Sequence, residues 1–93
     1  MKRLAIFGAS CHGSVVAETA LASCWDVVDF YDDAYPRKRS LDNLPIRGNF
    51  SHLVAHSDAY DGFHVAIGCN KTRLKALRKL LELDLFCPNI VAP

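Results

Sequence analysis

The stretch Leu4-Ala5-Ile6-Phe7-Gly8-Ala9-Ser10-Cys11-His12-Gly13-Ser14-Val15-Val16 constrains the fold more than any other part of the chain. Four consecutive apolar residues read as a strand buried on both faces, as in a parallel sheet. A polar turn with two glycines follows, and helix-spaced apolar residues begin at Val15. Strand, glycine turn and helix in this order bring backbone N–H groups and the positive end of a helix dipole to one point, which suits an anion. Set against G-x-G-x-x-G, the turn is G-x-S-x-x-G, with Gly8 and Gly13 in register and Ser10 in the middle. The serine Cβ restricts the close approach to a pyrophosphate that a middle glycine allows. Its hydroxyl can instead donate to a phosphate oxygen or cap the helix. A ligand crevice at the end of the first strand is expected, and a generic NAD site is not.

The rest of the chain repeats this geometry. The first strand is expected over Lys2–Phe7 and the first helix from about His12 to Ser23, with Val16, Ala20 and Cys24 on one stripe. Asp26–Tyr31 reads as a second strand, followed by Asp32 and Asp33. Asp32 lies nineteen residues after Gly13, near where a doubly wound fold sets an acid against a ribose hydroxyl. The bland alternative is a polar turn. Residues Ala34 to Asn43 form a polar loop whose Arg37-Lys38-Arg39 run is either a solvated surface or a flap bringing cations to a diphosphate. A short extended piece, Leu44–Gly48, leads to a short helix over Ser51–His56 with Ser51 as its cap. Phe63–Gly68 is the next strand. Asn70 is the expected N-cap of a helix over Lys71–Leu83 whose apolar stripe is Leu74, Leu77 and Leu81, widened by Leu80. Right-handed crossovers place both helix N-termini at the carboxyl edge of the sheet. Asn89-Ile90-Val91 reads as a terminal strand.

Composition narrows the class. Ninety-three residues, 51% of them hydrophobic, make one small globular domain. A net charge of +1 gives no bulk attraction to nucleic acid or an acidic membrane. Met1-Lys2-Arg3 imitates the basic start of a signal peptide, but the apolar run behind it stops at Gly8, and no stretch has the length of a membrane span. A cytoplasmic location follows as the expectation. Cys11, Cys24, Cys69 and Cys87 show no C-x-x-C spacing and are expected to be free thiols. Cys11, His12 and Cys69 follow strands that parallel pairing makes neighbours, but no ligand spacing supports a metal, and none is expected.

Four pieces in order carry a resemblance: Ile6–Val16, then Phe30-Tyr31-Asp32-Asp33, then Ile46-Arg47-Gly48, then Val65–Arg73 with its I-G-x-N-x-x-R. Together they resemble the N-terminal domain of bacterial sugar O-/N-acetyltransferases of the sialic-acid O-acetyltransferase type, a group that includes the UDP-4-amino-sugar N-acetyltransferases of glycan biosynthesis. The resemblance implies a small three-layer α/β, Rossmann-like domain with a mainly parallel sheet of four to five strands, the first strand central, spanning residues 1–93. It implies binding of the nucleotide part of a UDP-amino-sugar. Acetyl-CoA, the catalytic histidine and the trimer belong to a C-terminal left-handed β-helix in that family, so no cofactor and no acetyl transfer are expected of this chain by itself. Carried over, the resemblance sets Gly8, Ala9 and Ser10 against the diphosphate, with His12 and Gly13 shaping the turn. Asp32 and Asp33 fall at the nucleoside end, and Gly68, Asn70 and Arg73 on the opposite wall. His12 is the residue type of a general base, but chemistry in that family sits on the β-helix, so His12 is read as a turn or ligand-contact residue and no catalytic residue is assigned.

The chain departs from the family at two positions of the turn. Cys11 stands where glycine is usual, so a Cβ is set against any positive φ there. Ser14 stands where lysine or arginine is usual, which removes a phosphate-side cation worth about 1 kcal/mol if partly exposed. These departures keep two other readings open: a structural or interaction module that has lost its ligand, with an uncovered sheet edge able to pair in a homodimer, and a general nucleotide- or CoA-binding Rossmann-type domain.

Overall fold

The computed structural model describes residues 1–88. Within them the elements run β1 (Arg3–Phe7), α1 (Cys11–Leu21), β2 (Val27–Tyr31), β3 (Ser40–Leu41), β4 (Leu44–Pro45), α2 (Phe50–Ala55), a 3-10 turn (Ser57–Ala59), β5 (Gly62–Val65) and α3 (Asn70–Glu82). β1 lies between β2 and β5, both parallel to it, with Leu4 opposite Val28 and Gly62, and Phe7 opposite Tyr31 and Val65. The central place of the first strand is as expected. The sheet has three strands among the described residues where four or five were expected. Ile46 adds a single parallel bridge to Phe30, and the expected strand at Asn89–Val91 lies outside the described residues.

Side chains alternate across the sheet, and both faces are covered. Leu4, Ile6, Val28 and Phe30 pack with Val16, Ala17 and Ala20 of α1. Ala5, Phe7, Tyr31, Phe63 and Val65 pack with Leu53 of α2 and with Ala76 and Leu80 of α3. This is the expected three-layer α/β arrangement, and it explains the unbroken apolar run of β1. Phe30, Phe63, Leu4, Ile6, Leu53 and Leu80 are the largest fully buried side chains, each contributing about 1.5–3 kcal/mol of burial.

Several boundaries differ from expectation. α1 stops at Leu21, before Cys24 can join its stripe; the residues it buries are Gly13, Val16, Ala17 and Ala20, and Val15 is exposed. α2 is capped by Asn49 rather than Ser51: Asn49 Oδ1 accepts from the His52 N–H while His52 Nδ1 accepts from the Asn49 N–H, a reciprocal capping box. The loop expected through Asn43 holds a hairpin of β3 and β4, turned by Asp42 and Asn43 at φ 51° and 66°, the left-handed pair that a two-residue turn requires. α3 buries Ala76 and Leu80, leaving Leu74 and Leu81 on the solvent side. Its end is a Schellman motif. Asp84 takes the left-handed conformation at φ 57°, the Leu85 N–H donates to the Leu80 carbonyl, and the Asp84 N–H donates to the Leu81 carbonyl.

One carboxylate is buried. Asp29 of β2 accepts from the Tyr60 hydroxyl at 2.8 Å and pairs with Arg47 Nε at 3.4 Å and Arg3 Nη2 at 3.9 Å. Tyr60 in turn contacts the Tyr31 hydroxyl at 2.8 Å. Burial, the bond to Tyr31 and the neighbouring Asp29 carboxylate all raise the Tyr60 phenol, and burial is the main force raising Tyr31. Both arginines stay half-exposed, so the ion pairs are solvent-screened and the hydroxyl bonds contribute most of the order. The outer edge of β5 is partly occupied, because the Phe63 N–H donates to the Phe86 carbonyl at 2.9 Å. The edge expected to accept a second copy is therefore not fully open.

Candidate functional site

The ends of β1 and β5 and the start of α1 form a crevice at the carboxyl edge of the sheet. β2 lies to one side of β1 and β5 to the other, so the chain changes direction at β1, and this is where open α/β sheets hold their ligands. Two glycines shape the wall. Gly8 has φ 120°, and a Cβ there would lie 2.4 Å from the Ala66 carbonyl oxygen. A Cβ on Gly13 would lie 2.1 Å from the Gly8 carbonyl oxygen, so Gly13 lets α1 pack directly onto the turn. Gly68 is different: a Cβ there meets nothing within 4 Å. The left-handed position is Gly8. Cys11 is the first residue of α1, where a helical backbone accommodates its Cβ, so this departure from the family pattern is sterically neutral.

The turn itself is held through one residue, Ala9. Asp32 Oδ2 accepts from the Ala9 N–H at 2.8 Å, and its Oδ1 accepts from the Ala34 N–H at 2.8 Å. Lys38 Nζ donates to the Ala9 carbonyl at 2.6 Å. Asp32 thus braces the turn with both oxygens, where the sequence suggested an acid facing a ribose. Asp33 is likewise tied down, Oδ1 accepting from the Phe50 N–H at the start of α2 at 3.2 Å. Ser10 is the N-cap residue of α1 and closes no capping bond, so its exposed hydroxyl is free to face the crevice. The first N–H groups of α1 have no carbonyl within the helix to meet.

A cavity of about 350 Å³ is lined here by Phe7, Gly8, Ser10, Asp32, Ala66, Gly68 and Thr72 among others. Through Phe7, Asp33 and Thr72 it continues into a groove of about 480 Å³ between α2 and α3. The groove has an apolar floor, with the Phe7 and Phe50 rings 4.8 Å apart, and Lys75, Arg78, Lys79 and the carboxylate of Glu82 along its rim. One end of the combined cleft presents N–H groups and a hydroxyl; the other presents aromatic surface and cations. Of the candidate residues, Gly8, Ser10, Asp32, Asp33 and Gly68 line it. Ala9 is buried beneath the turn, and Gly13 supports it from α1. Asn70 and Arg73 bond to each other on the exposed first turn of α3, Arg73 Nη2 to Asn70 Oδ1 at 2.6 Å. From that turn it is Thr72 that reaches the cleft. His12 is exposed on α1 near His64 of β5, whose imidazole is lowered mainly by burial and secondarily by the charge of His12.

Both helix N-termini point to the carboxyl edge, as expected, but they are not equivalent. The N-cap of α3 is Cys69, and Asn70 is the first helical residue. The Cys69 side chain makes no capping bond of ordinary geometry. The Thr72 N–H, its hydroxyl and the Lys71 N–H nevertheless lie close enough to stabilise the thiolate, and they hold this exposed thiol below the ordinary cysteine range. Cys87 moves the opposite way, raised by burial. Iodoacetamide at pH 7 is therefore expected to alkylate Cys69 well before Cys87, the thiolate being the nucleophile; equal rates by peptide mass spectrometry would remove the polarised thiol from this account. Sequence reasoning missed Thr72, Phe50 and the groove they open onto. Only the Arg37-Lys38-Arg39 run signalled the cation beside the turn. Among the described residues no group of three or more His, Cys, Asp or Glu side chains is placed to hold a metal, and no helix is long and apolar enough to cross a membrane.

Comparison with known proteins agrees with this geometry. No curated protein matches the chain. Among solved structures, the acetyltransferase domain of PglB from Neisseria gonorrhoeae, in complex with acetyl coenzyme A, aligns with 30% identity and a TM-score of 0.85 over 99% of this chain and 44% of its own. A mutant perosamine N-acetyltransferase from Caulobacter crescentus, in complex with CoA and GDP-perosamine, aligns with 26% identity and a TM-score of 0.85 over 100% of this chain and 44% of its own. The chain thus spans less than half the length of these two relatives. The family model of the PglD N-terminal domain matches residues 3–80. With its glycine turn, central first strand and crevice at the change of strand direction, the chain belongs to the PglD N-terminal domain family.

Proposed function

We propose that the cleft binds the nucleotide part of a nucleotide-linked amino sugar, so that this domain serves a sugar N- or O-acetyltransferase without itself transferring acetyl groups. The observation that carries the reading is the continuity of two unlike surfaces. The free Ser10 hydroxyl and the α1 N-terminus suit a diphosphate, and the Phe7–Phe50 floor with its cationic rim suits a nucleobase. The Caulobacter relative was solved with GDP-perosamine, which supports the ligand class. The UDP-sugar implied by the sequence resemblance belongs to the same class. A dinucleotide site is disfavoured, because the Ser10 Cβ stands where a middle glycine lets the backbone close on a pyrophosphate.

Thermal unfolding with UDP, GDP, their amino-sugar conjugates, NADH and coenzyme A tests this. A ligand present at a hundred times its Kd adds about 2.7 kcal/mol, which for a domain of this size raises Tm by roughly ten degrees or more. The expected result is such a shift with one of the diphosphates or its sugar conjugate and none with NADH. A shift with NADH or coenzyme A alone would favour the general Rossmann-type reading, and no shift with any ligand would favour the module that has lost its site.

A further inference from the structure

Lys38 occupies an unusual position for a cation. Its Nζ is 2.6 Å from the Ala9 carbonyl, one residue before the N-cap of α1, so a half-buried ammonium sits beside the positive end of a helix. Both ion pairs among the described residues end on Asp29, and Lys38 holds its charge against a neutral carbonyl. The Asp32 carboxylate, on the N–H of the same Ala9, balances it in part. Lys38 also lines a cleft of about 470 Å³ with Ser10, Cys11, Ser14, Leu41 and Asp42. Asp42 is engaged by the Ser14 hydroxyl, and Arg39 Nε is turned away to the Pro36 carbonyl at 3.3 Å. The ridge between this cleft and the nucleotide crevice is Ser10, which lines both.

We propose that Lys38 is the phosphate-binding cation of this domain, moving its ammonium from the Ala9 carbonyl to a diphosphate oxygen held over Ser10 and the first turn of α1. This rests on the nucleotide reading above. The arrangement accounts for a phosphate site without a cation at position 14. An anion there would meet the ammonium, the Ser10 hydroxyl and the free N–H groups of α1, and it would relieve the unfavourable pairing of Lys38 with the helix end.

Calorimetric titration of UDP, GDP and inorganic pyrophosphate into the wild type, Lys38→Gln, Lys38→Arg and Arg37→Gln tests the assignment. For the nucleotide that binds, Lys38→Gln is expected to weaken affinity about tenfold or more, as loss of a charge-assisted hydrogen bond does. Lys38→Arg is expected to retain most of the affinity, and Arg37→Gln to stay within about twofold. Unchanged affinity in Lys38→Gln, or an equal loss in Arg37→Gln, would overturn the assignment while leaving the nucleotide reading intact. A wild type that binds neither nucleotide would overturn that reading, and the role of Lys38 with it. A second measurement avoids any folding defect of the variants: acylation of lysine amines in the wild type, read by mass spectrometry. Saturating nucleotide should protect Lys38 and leave Lys2 reactive, and a Lys38 that reacts equally with and without nucleotide overturns the proposal.

Discussion

Gly8→Ala is expected to lower stability by about 3–5 kcal/mol, the sum of backbone strain at a left-handed-side φ and of forcing a methyl into backbone. The new Cβ would lie 2.4 Å from the Ala66 carbonyl oxygen at a φ of 120°, and neither β1 nor the segment after β5 can retreat without breaking the bond from the Ala66 N–H to the Phe7 carbonyl. Small domains hold only about 0.05–0.15 kcal/mol per residue, so the variant should be largely unfolded or melt tens of degrees early. Gly68→Ala is the matched control. With nothing within 4 Å of its Cβ, it should stay within about 0.5 kcal/mol of wild type. Urea denaturation followed by circular dichroism separates the two. Similar midpoints for both variants would mean that the turn is not the rigid wall described.

Asp32→Ala is expected to cost about 2–4 kcal/mol even without ligand, because it removes an ionised acceptor from two backbone N–H groups, of Ala9 and Ala34, each bond to a charged group being worth about 1.5–3 kcal/mol before allowance for its partial exposure. Asp32→Asn keeps one acceptor oxygen and should lose roughly half as much. If Asp32→Ala instead unfolds within about 0.5 kcal/mol of wild type but loses nucleotide affinity, the carboxylate faces the ligand and the bracing role is wrong. Any affinity measured for this variant must be taken where it is still folded, since a loosened turn weakens binding without contacting the ligand.

The three layers and the central first strand were legible because their causes are local: an unbroken apolar run, a glycine turn, and helix-spaced apolar residues after it. What was not legible depends on distant contacts. Of the expected stripe on α3, Leu80 is buried and Leu77 packs against the core, but Leu74 and Leu81 fit a helical stripe as well as Ala76 does, and only the sheet decides which of them turn inward. Asn70 has the better capping chemistry, but the chain leaves β5 in a path that makes Cys69 the last extended residue. In the site, spacing found Asp32 and set it against a ribose. It could not show that backbone N–H groups reach both of its oxygens. Arg37-Lys38-Arg39 gave three equivalent cations, and the fold of the loop brings Lys38 to the glycine turn.

The sheet order also sets when this site can exist during synthesis. Among the described strands of the sheet β1 is made first, yet it is the central one, and one of its two neighbours is β5, the last of them in chain order. Gly8 takes its conformation against Ala66, so the first piece of the site to be translated is among the last to be shaped. Long-range pairing of this kind slows folding relative to local pairing. A nascent chain halted before Ala66 carries the whole fingerprint sequence and has no pocket, and any partner or ligand that recognises the cleft must wait until α3, which lines it, has left the exit tunnel.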